Sequence, residues 1–163
     1  MSRRGSRAVA VVIPAHDEEA LIERCLASVV AALTAARERE PALRAVVVVV
    51  LDACGDASAE RVRPWPVEVV EIAARSVGTA RRRGVEHALA ALDHPAERTW
   101  IASTDADTVV PAEWLTHQLD LMDAGTDLIL GTVRPDFADL SERHAQYWRA
   151  THRRGRPAGN VHG

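Results

Sequence analysis

Residues 8–13 (AVAVVI) form an unbroken apolar run, and a run without polar alternation fits a strand buried on both faces of a parallel sheet. Pro14 is expected to end it. Beyond Glu18 the period changes. Leu21, Ile22, Cys25, Leu26, Val29, Val30 and Leu33 recur at spacings of three and four, which is one face of an amphipathic helix. The strand, loop, helix sequence then repeats. Residues 45–51 read as a second buried strand, 52–56 as a polar loop, and 57–62 as a short helix that Asp56 is placed to cap. A third strand over 67–72 leads to a helix over 78–92, with Val85, Ala88, Leu89 and Leu92 inward. A fourth strand over 100–103 leads through an acidic loop at 105–107 to a helix starting at Pro111. That helix turns Trp114, Leu115, Leu119 and Met122 inward and stops at Gly125. A fifth strand is expected over 128–133 and a last helix over 140–152.

Strands alternating with helices through short loops predict the α/β class, with a mostly parallel central sheet flanked by helices and ligands bound beyond the carboxyl ends of the strands. At 163 residues the chain suits a single domain spanning 1–163. With 47% hydrophobic and 26% charged residues it should fold, and disorder, coiled-coil and collagen-like classes fall away. A formal net charge of −3 provides no basic field for nucleic acid, so any polyphosphate must be held by local devices. No apolar run approaches the ~18 residues of a membrane span, so nothing here encodes membrane association. Arg3 and Arg4 resemble the start of a twin-arginine signal, but Pro14 and the polar residues 16–19 cut the following apolar run short. Cys25 and Cys54 lack metal-ligand spacing and read as reduced thiols of a cytoplasmic protein. The seven histidines show no paired ligand spacing either.

The chemistry therefore belongs in the loops after the strands. In the first loop Glu18 and Glu19 suit the positive end of the following helix, a structural role sufficient by itself. In the second, capping accounts for Asp56 but not for Asp52, and a carboxylate at the end of a second strand is a common grip on a ribose hydroxyl. Neither the dinucleotide nor the P-loop glycine signature follows the first strand. Asp105 and Asp107 offer another device. Standing two residues apart after an apolar strand, they suit a hard divalent cation, Mg²⁺ or Mn²⁺. Without that cation, each carboxylate about 4 Å from a phosphate oxygen would repel it by about 1 kcal/mol in water and more in a cleft. Taken alone, such a triplet is more readily a pair of turn and capping residues ahead of Pro111; its place after a strand, in a chain that also carries Asp52, reverses that and favours the metal. Arg81, on an early turn of the third helix, is in position for a phosphate or a base.

Together, residues 11–19 (VVIPAHDEE), 51–58 (LDACGDAS), 78–84 (GTARRRG) and 103–115 (STDADTVVPAEWL) resemble the family-two glycosyltransferases, whose GT-A fold is Rossmann-like. The resemblance runs from about residue 8 to about residue 131. It implies a UDP- or GDP-linked sugar donor, a divalent cation and an inverting transfer to an acceptor that the sequence leaves open. It further implies that Pro14, Ala15 and Glu18 surround the base and ribose, that Asp52 contacts the base, that Arg81 lies near the nucleotide, and that Asp105 and Asp107 bind ribose and metal. Leu51 and Asp52 stand where the family has an aspartate pair, and His16 and Asp17 where it has an aromatic residue and an asparagine; the base preference stays open. Residues 159–163 resemble the glycine-containing segment before the family's acceptor region, so the general base is expected to be missing from this chain. Asp136, Asp139 and Glu142 are the later acids, and nothing singles one out. Arg149, Arg153, Arg154 and Arg156 read as a solvated face, with an anionic acceptor or a membrane surface as the alternative. Two other functions compete: a nucleotide-sugar-binding domain without turnover, and an aspartate-nucleophile phosphotransferase suggested by residues 105–108. Against the latter, Val109 stands where threonine is wanted, and the loop follows the fourth strand, not the first.

Overall fold

The computed structural model describes residues 7–138 and 140–151. The expectations for Arg3, Arg4, Asp139, His152, Arg153, Arg154, Arg156 and residues 159–163 lie outside the described residues. The chain divides into two compact units, Met1–Ile129 and Leu130–Gly163.

The first unit runs β1 (Ala8–Ala15), α1 (Ile22–Arg39), β2 (Arg44–Asp52), α2 (Ser58–Val62), β3 (Glu68–Ile72), α3 (Val77–Leu92), a 3-10 turn (Ala96–Arg98), β4 (Thr99–Ser103) and α4 (Trp114–Asp123). The strands form one parallel sheet in the order β3-β2-β1-β4, as the α/β expectation requires. From β1 the chain moves outward through β2 to β3, then crosses to the other side of β1 to add β4. The strand order thus reverses between β1 and β4, and in open parallel sheets the ligand crevice opens at that reversal.

The two faces of the sheet are packed differently. Val9, Val11 and Ile13 of β1, with Val47, Val49 and Leu51 of β2, meet α1, α2 and α4 through residues such as Leu26, Val29, Val62, Leu115 and Leu119. On the opposite face Ala8, Ala10, Val48 and Val50 meet Ala80, Ala88 and Leu92 of α3. The α3 stripe of Ala80, Gly84 and Ala88 is small at every fourth position, so the helix lies close to the strands. A Cβ on Gly84 would fall 2.4 Å from Val12 Cγ1 and 2.9 Å from Val50 Cγ2. Gly84→Ala is therefore expected to lose roughly 1–3 kcal/mol of stability through overpacking, despite alanine's better helix propensity. Urea denaturation measures this, and a stabilised variant would mean that α3 can back away from the sheet.

At the amino end of the sheet charges are paired. Arg7 bonds Glu40 and Asp123, and Arg39 grips Asp120 with both terminal nitrogens at 2.6 and 2.8 Å. The Arg39 hydrogen bond holds the Asp120 carboxyl below its ordinary range. No helix among the described residues is long and apolar enough to cross a membrane.

Several boundaries differ from the pattern-based expectation. Pro14 does not end β1, which continues through Pro14 and Ala15 opposite Val50 and Leu51. The β1–β4 pairing already stops at Val12, so the missing N–H of Pro14 costs the ladder no bond on that side. Helix α4 begins at Trp114, because Pro111 instead opens a tight turn whose carbonyl accepts the Trp114 N–H at 3.0 Å. Residues 128–133 form no strand; Leu128, Leu130 and Val133 are exposed. Their apolar pattern suits a strand locally, but a strand exists only when a neighbour accepts its backbone bonds, and among the described residues none does.

In the second unit α5 (Glu142–Thr151) lies within the 140–152 expectation. Phe137 meets Trp148 edge to face at 5.4 Å, and the Arg149 guanidinium stacks over the Phe137 ring at 4.6 Å.

Candidate nucleotide and cation site

The loops leaving β1 and β2 are laced to each other. The Gly55 N–H donates to Asp17 Oδ1 at 2.6 Å, Glu18 N–H to Ser58 Oγ at 2.8 Å, Glu19 N–H to Asp56 Oδ2 at 2.9 Å, and Ala57 N–H to Glu19 Oε2 at 2.8 Å. Asp56 also accepts the Ser58 N–H at 2.9 Å, which is the expected capping of α2 made from one residue before the cap position. Burial pushes the Asp56 carboxyl up, but its bonds from Ser58 and Glu19 outweigh that and leave it below the ordinary value.

Asp52 closes β2 with its side chain buried. Its Oδ1 accepts the Ala74 and Arg75 N–H groups at 2.7 and 2.8 Å, and its Oδ2 the Ser76 N–H at 2.7 Å. Burial raises the carboxyl's pKa; the three backbone donors, helped by His16, more than reverse this, and the result lies below the ordinary 3.8. Asp52 thus fastens the loop between β3 and α3. Ser76 in turn caps α3, its Oγ accepting the Thr79 N–H at 3.3 Å, and the second turn of α3 carries Arg81.

Each of these three loops contains a non-glycine residue in the left-handed region: Asp17 at φ 54°, Ala53 at 53° and Arg75 at 49°. Such a conformation costs about 1–2 kcal/mol per residue and persists where surrounding bonds over-determine it, as the cross-loop bonds do here.

The loop after β4 is anchored from both sides. The Asp105 carbonyl accepts the Thr108 N–H at 3.1 Å and the Cys25 thiol at 3.4 Å, while the Val110 N–H donates to Ser28 Oγ at 3.1 Å. Ala106 and Val110 are buried, whereas Asp105 and Asp107 on either side of Ala106 are exposed. A small apolar residue between two carboxylates therefore plugs the loop into the core and leaves both acids outside. Arg81 Nη2 reaches Asp105 Oδ1 at 2.8 Å. Glu18 is half-buried, and its carboxyl is pushed up by that burial and then by Asp107, Asp56 and Asp105. The Cys25 thiol is pushed to about 12 by burial, then by Asp107, Asp105 and Glu18.

Of the residues singled out by the sequence, Glu18, Arg81, Asp105 and Asp107 come together beside the reversal between β1 and β4. Pro14 and Ala15 form the buried end of β1 beneath them. Asp52 stands apart in its bonding, engaged with the third loop. One grouping escaped the sequence: an oxygen or sulfur atom each from Asp17, Cys54 and Asp56 lies within 4.8 Å of the others. It spans two loops, so no spacing rule could have found it, and the loop bonds above already account for both carboxylates.

A profile described as Glycosyl transferase family 2 matches residues 10–161. The chain belongs to glycosyl transferase family 2. Its fold is also that of three solved structures of one protein. S. aureus TarS 1-349 is similar at TM-score 0.54 and 18% identity, covering 79% of this chain and 38% of that one. S. aureus TarS gives 0.55 and 20%, covering 78% and 23%. S. aureus TarS 1-349 in complex with UDP gives 0.51 and 19%, covering 79% and 38%. At such identities the likeness establishes the fold. The family-2 chain spans well under half the length of these TarS chains. No curated protein sequence matches it.

In this family-2 domain Asp105 and Asp107 offer oxygen donors, the chemistry that suits Mg²⁺ or Mn²⁺, while Glu18 adds negative charge nearby without its ligand atom closing a trio with theirs within 4.8 Å. Among the described residues the ion pair to this acidic group is the one from Arg81, so negative charge is in excess. By their chemistry the two exposed carboxylates Asp105 and Asp107 suit a divalent cation.

Proposed function

We propose that this family-2 domain binds the diphosphate of a UDP- or GDP-linked sugar through a divalent cation held by Asp105 and Asp107, and that the protein transfers the sugar to an acceptor with inversion. The observation that carries this reading is the convergence of three carboxylates and one arginine at the carboxyl edge between β1 and β4. The cation would supply the positive charge that a departing diphosphate needs. Pro14 and Ala15 provide the wall for the base and ribose, and Glu18 stands beside it. Asp105 stands between ribose and cation and serves both, and Asp107 serves the cation. Asp52, through its loop, sets the position of Arg81 near the nucleotide. Inversion further requires a carboxylate to deprotonate the acceptor, a role we assign to no residue of this chain.

Uridine is the first base to test, because one similar structure, S. aureus TarS 1-349, is in complex with UDP. The family match favours glycosyl transfer over the aspartate-nucleophile phosphotransferase. Cys25 and Cys54 are both free thiols, in keeping with a cytoplasmic protein.

Calorimetric titration of UDP and GDP into the chain, with and without Mn²⁺, tests the reading. One nucleotide should bind in the presence of Mn²⁺ and lose at least about a hundredfold in affinity without it, since the carboxylates then repel the diphosphate. If neither binds the folded chain with Mn²⁺ present, the proposal fails.

A further inference from the structure

The oxygen that a cation would need on Asp105 is already engaged. Arg81 Nη2 lies 2.8 Å from Asp105 Oδ1, and the Arg81 side chain is 28% exposed. Arg81 Nε is buried and has no hydrogen-bond partner among the described residues. The guanidinium is thus held by one strong contact, with no second one from Nε to hold it in place. Neither backbone is free to adjust: Arg81 rides on α3, which Gly84 seats against Val12 and Val50, and the Asp105 carbonyl is fixed by Thr108 and Cys25. Asp105 can therefore release Arg81 only by rotation of side chains.

We propose that Arg81 is the resident counter-ion of the donor site: it occupies Asp105 while the site is empty, keeps a free divalent cation from binding tightly, and passes to the diphosphate when nucleotide and cation arrive together. The proposal rests on the reading that Asp105 and Asp107 hold the cation. Its physics is a contest between charges. A guanidinium beside Asp105 repels a dication and uses one of its ligand oxygens. A diphosphate offers the planar guanidinium a better, doubly charged partner and frees Asp105 for the metal. Cation and nucleotide then strengthen each other's binding, and by linkage the factor is the same in both directions. The acids alone would behave differently, binding metal first and nucleotide second.

The test is Mn²⁺ binding followed by the electron paramagnetic resonance signal of the free ion, with and without UDP, on the wild-type chain, Arg81→Gln and Arg81→Lys, each checked for folding by circular dichroism. Arg81→Gln should bind Mn²⁺ alone about tenfold more tightly than wild type, the order expected on removing one positive charge a few ångströms from a dication near solvent. Its further gain on adding UDP should shrink, while Arg81→Lys, which keeps the charge, should stay near wild type. If Arg81→Gln binds Mn²⁺ alone no more tightly than wild type, the counter-ion role is overturned. Arg81→Gln combined with Asp107→Asn separates the two claims. Unchanged Mn²⁺ binding in the double variant would remove the cation from Asp107 and with it the proposed function. Lost binding there, alongside an Arg81→Gln that matches wild type, would overturn the counter-ion alone.

Discussion

Replacing Asp107 with asparagine should weaken Mn²⁺-dependent UDP binding by roughly a hundredfold, about 2.7 kcal/mol, while leaving the fold intact. The two halves of that expectation have separate causes. Asp107 is exposed and its side chain makes one long contact, 3.3 Å from Thr108 Oγ1, so its charge supports no packing. Ala106 and Val110, which seat the loop, are untouched. The melting temperature should move by less than about 2 °C, as for most exposed substitutions. The lost affinity comes from removing one of two ionised ligands from a hard cation that prefers charged oxygen. Calorimetry with UDP and Mn²⁺, paired with a thermal melt, reads both. Unchanged affinity in a folded variant would mean that the diphosphate is held elsewhere.

Asp52→Asn should have the opposite profile, a structural loss that carries the site with it. Asparagine keeps one acceptor for Ala74 and Arg75 but turns an amide donor toward the Ser76 N–H, where Asp52 Oδ2 now accepts. A fall of roughly 5–10 °C in melting temperature is expected, since a buried donor is left facing a donor. The pH dependence has a definite sign. Asp52, Asp56 and Asp120 lie below the ordinary 3.8 in the folded chain, so their contribution is present above that pH and drains away as pH falls through their lowered folded values. Glu18 lies above its ordinary 4.5 and works the other way, its unfavourable charge being relieved on acidification. Three against one, wild-type stability should decline below about pH 4, and Asp52→Asn should flatten that decline. Melts from pH 3 to pH 7 would show it; parallel curves for the two proteins would mean that Asp52 is not held as its bonds indicate.

Much of the fold was legible because buried parallel strands announce themselves as unbroken apolar runs. Residues 8–13 and 45–51 fall inside β1 and β2, and the α1 stripe from Ile22 through Leu33 is the buried one. What failed was whatever depends on a neighbour. Pro14 reads as a strand end because its own N–H is missing, yet the strand beside it had already departed. Residues 128–133 read as a strand from their own pattern, which cannot say whether a partner is present. In the site, the gathering of Glu18, Arg81, Asp105 and Asp107 follows from loops that a parallel sheet brings to one edge. The bonding of Asp52 does not, since three successive amides turning toward one carboxylate depend on Arg75 being left-handed, and nothing in an arginine signals that. Asp17 and Ala53 were invisible for the same reason.

The lacing between the first two loops has a further consequence. Five amides, those of Glu18, Glu19, Gly55, Ala57 and Ser58, depend on side-chain acceptors within that pair of loops, and four of the five bonds cross from one loop to the other. Opening one segment breaks bonds to the other, so in isotope exchange these five amides should behave as a single patch with one common opening rate. The loop that carries Glu18 and the cap of α2 thereby share one stability, and a change at Asp56, outside any proposed contact with the nucleotide, should be felt at Glu18.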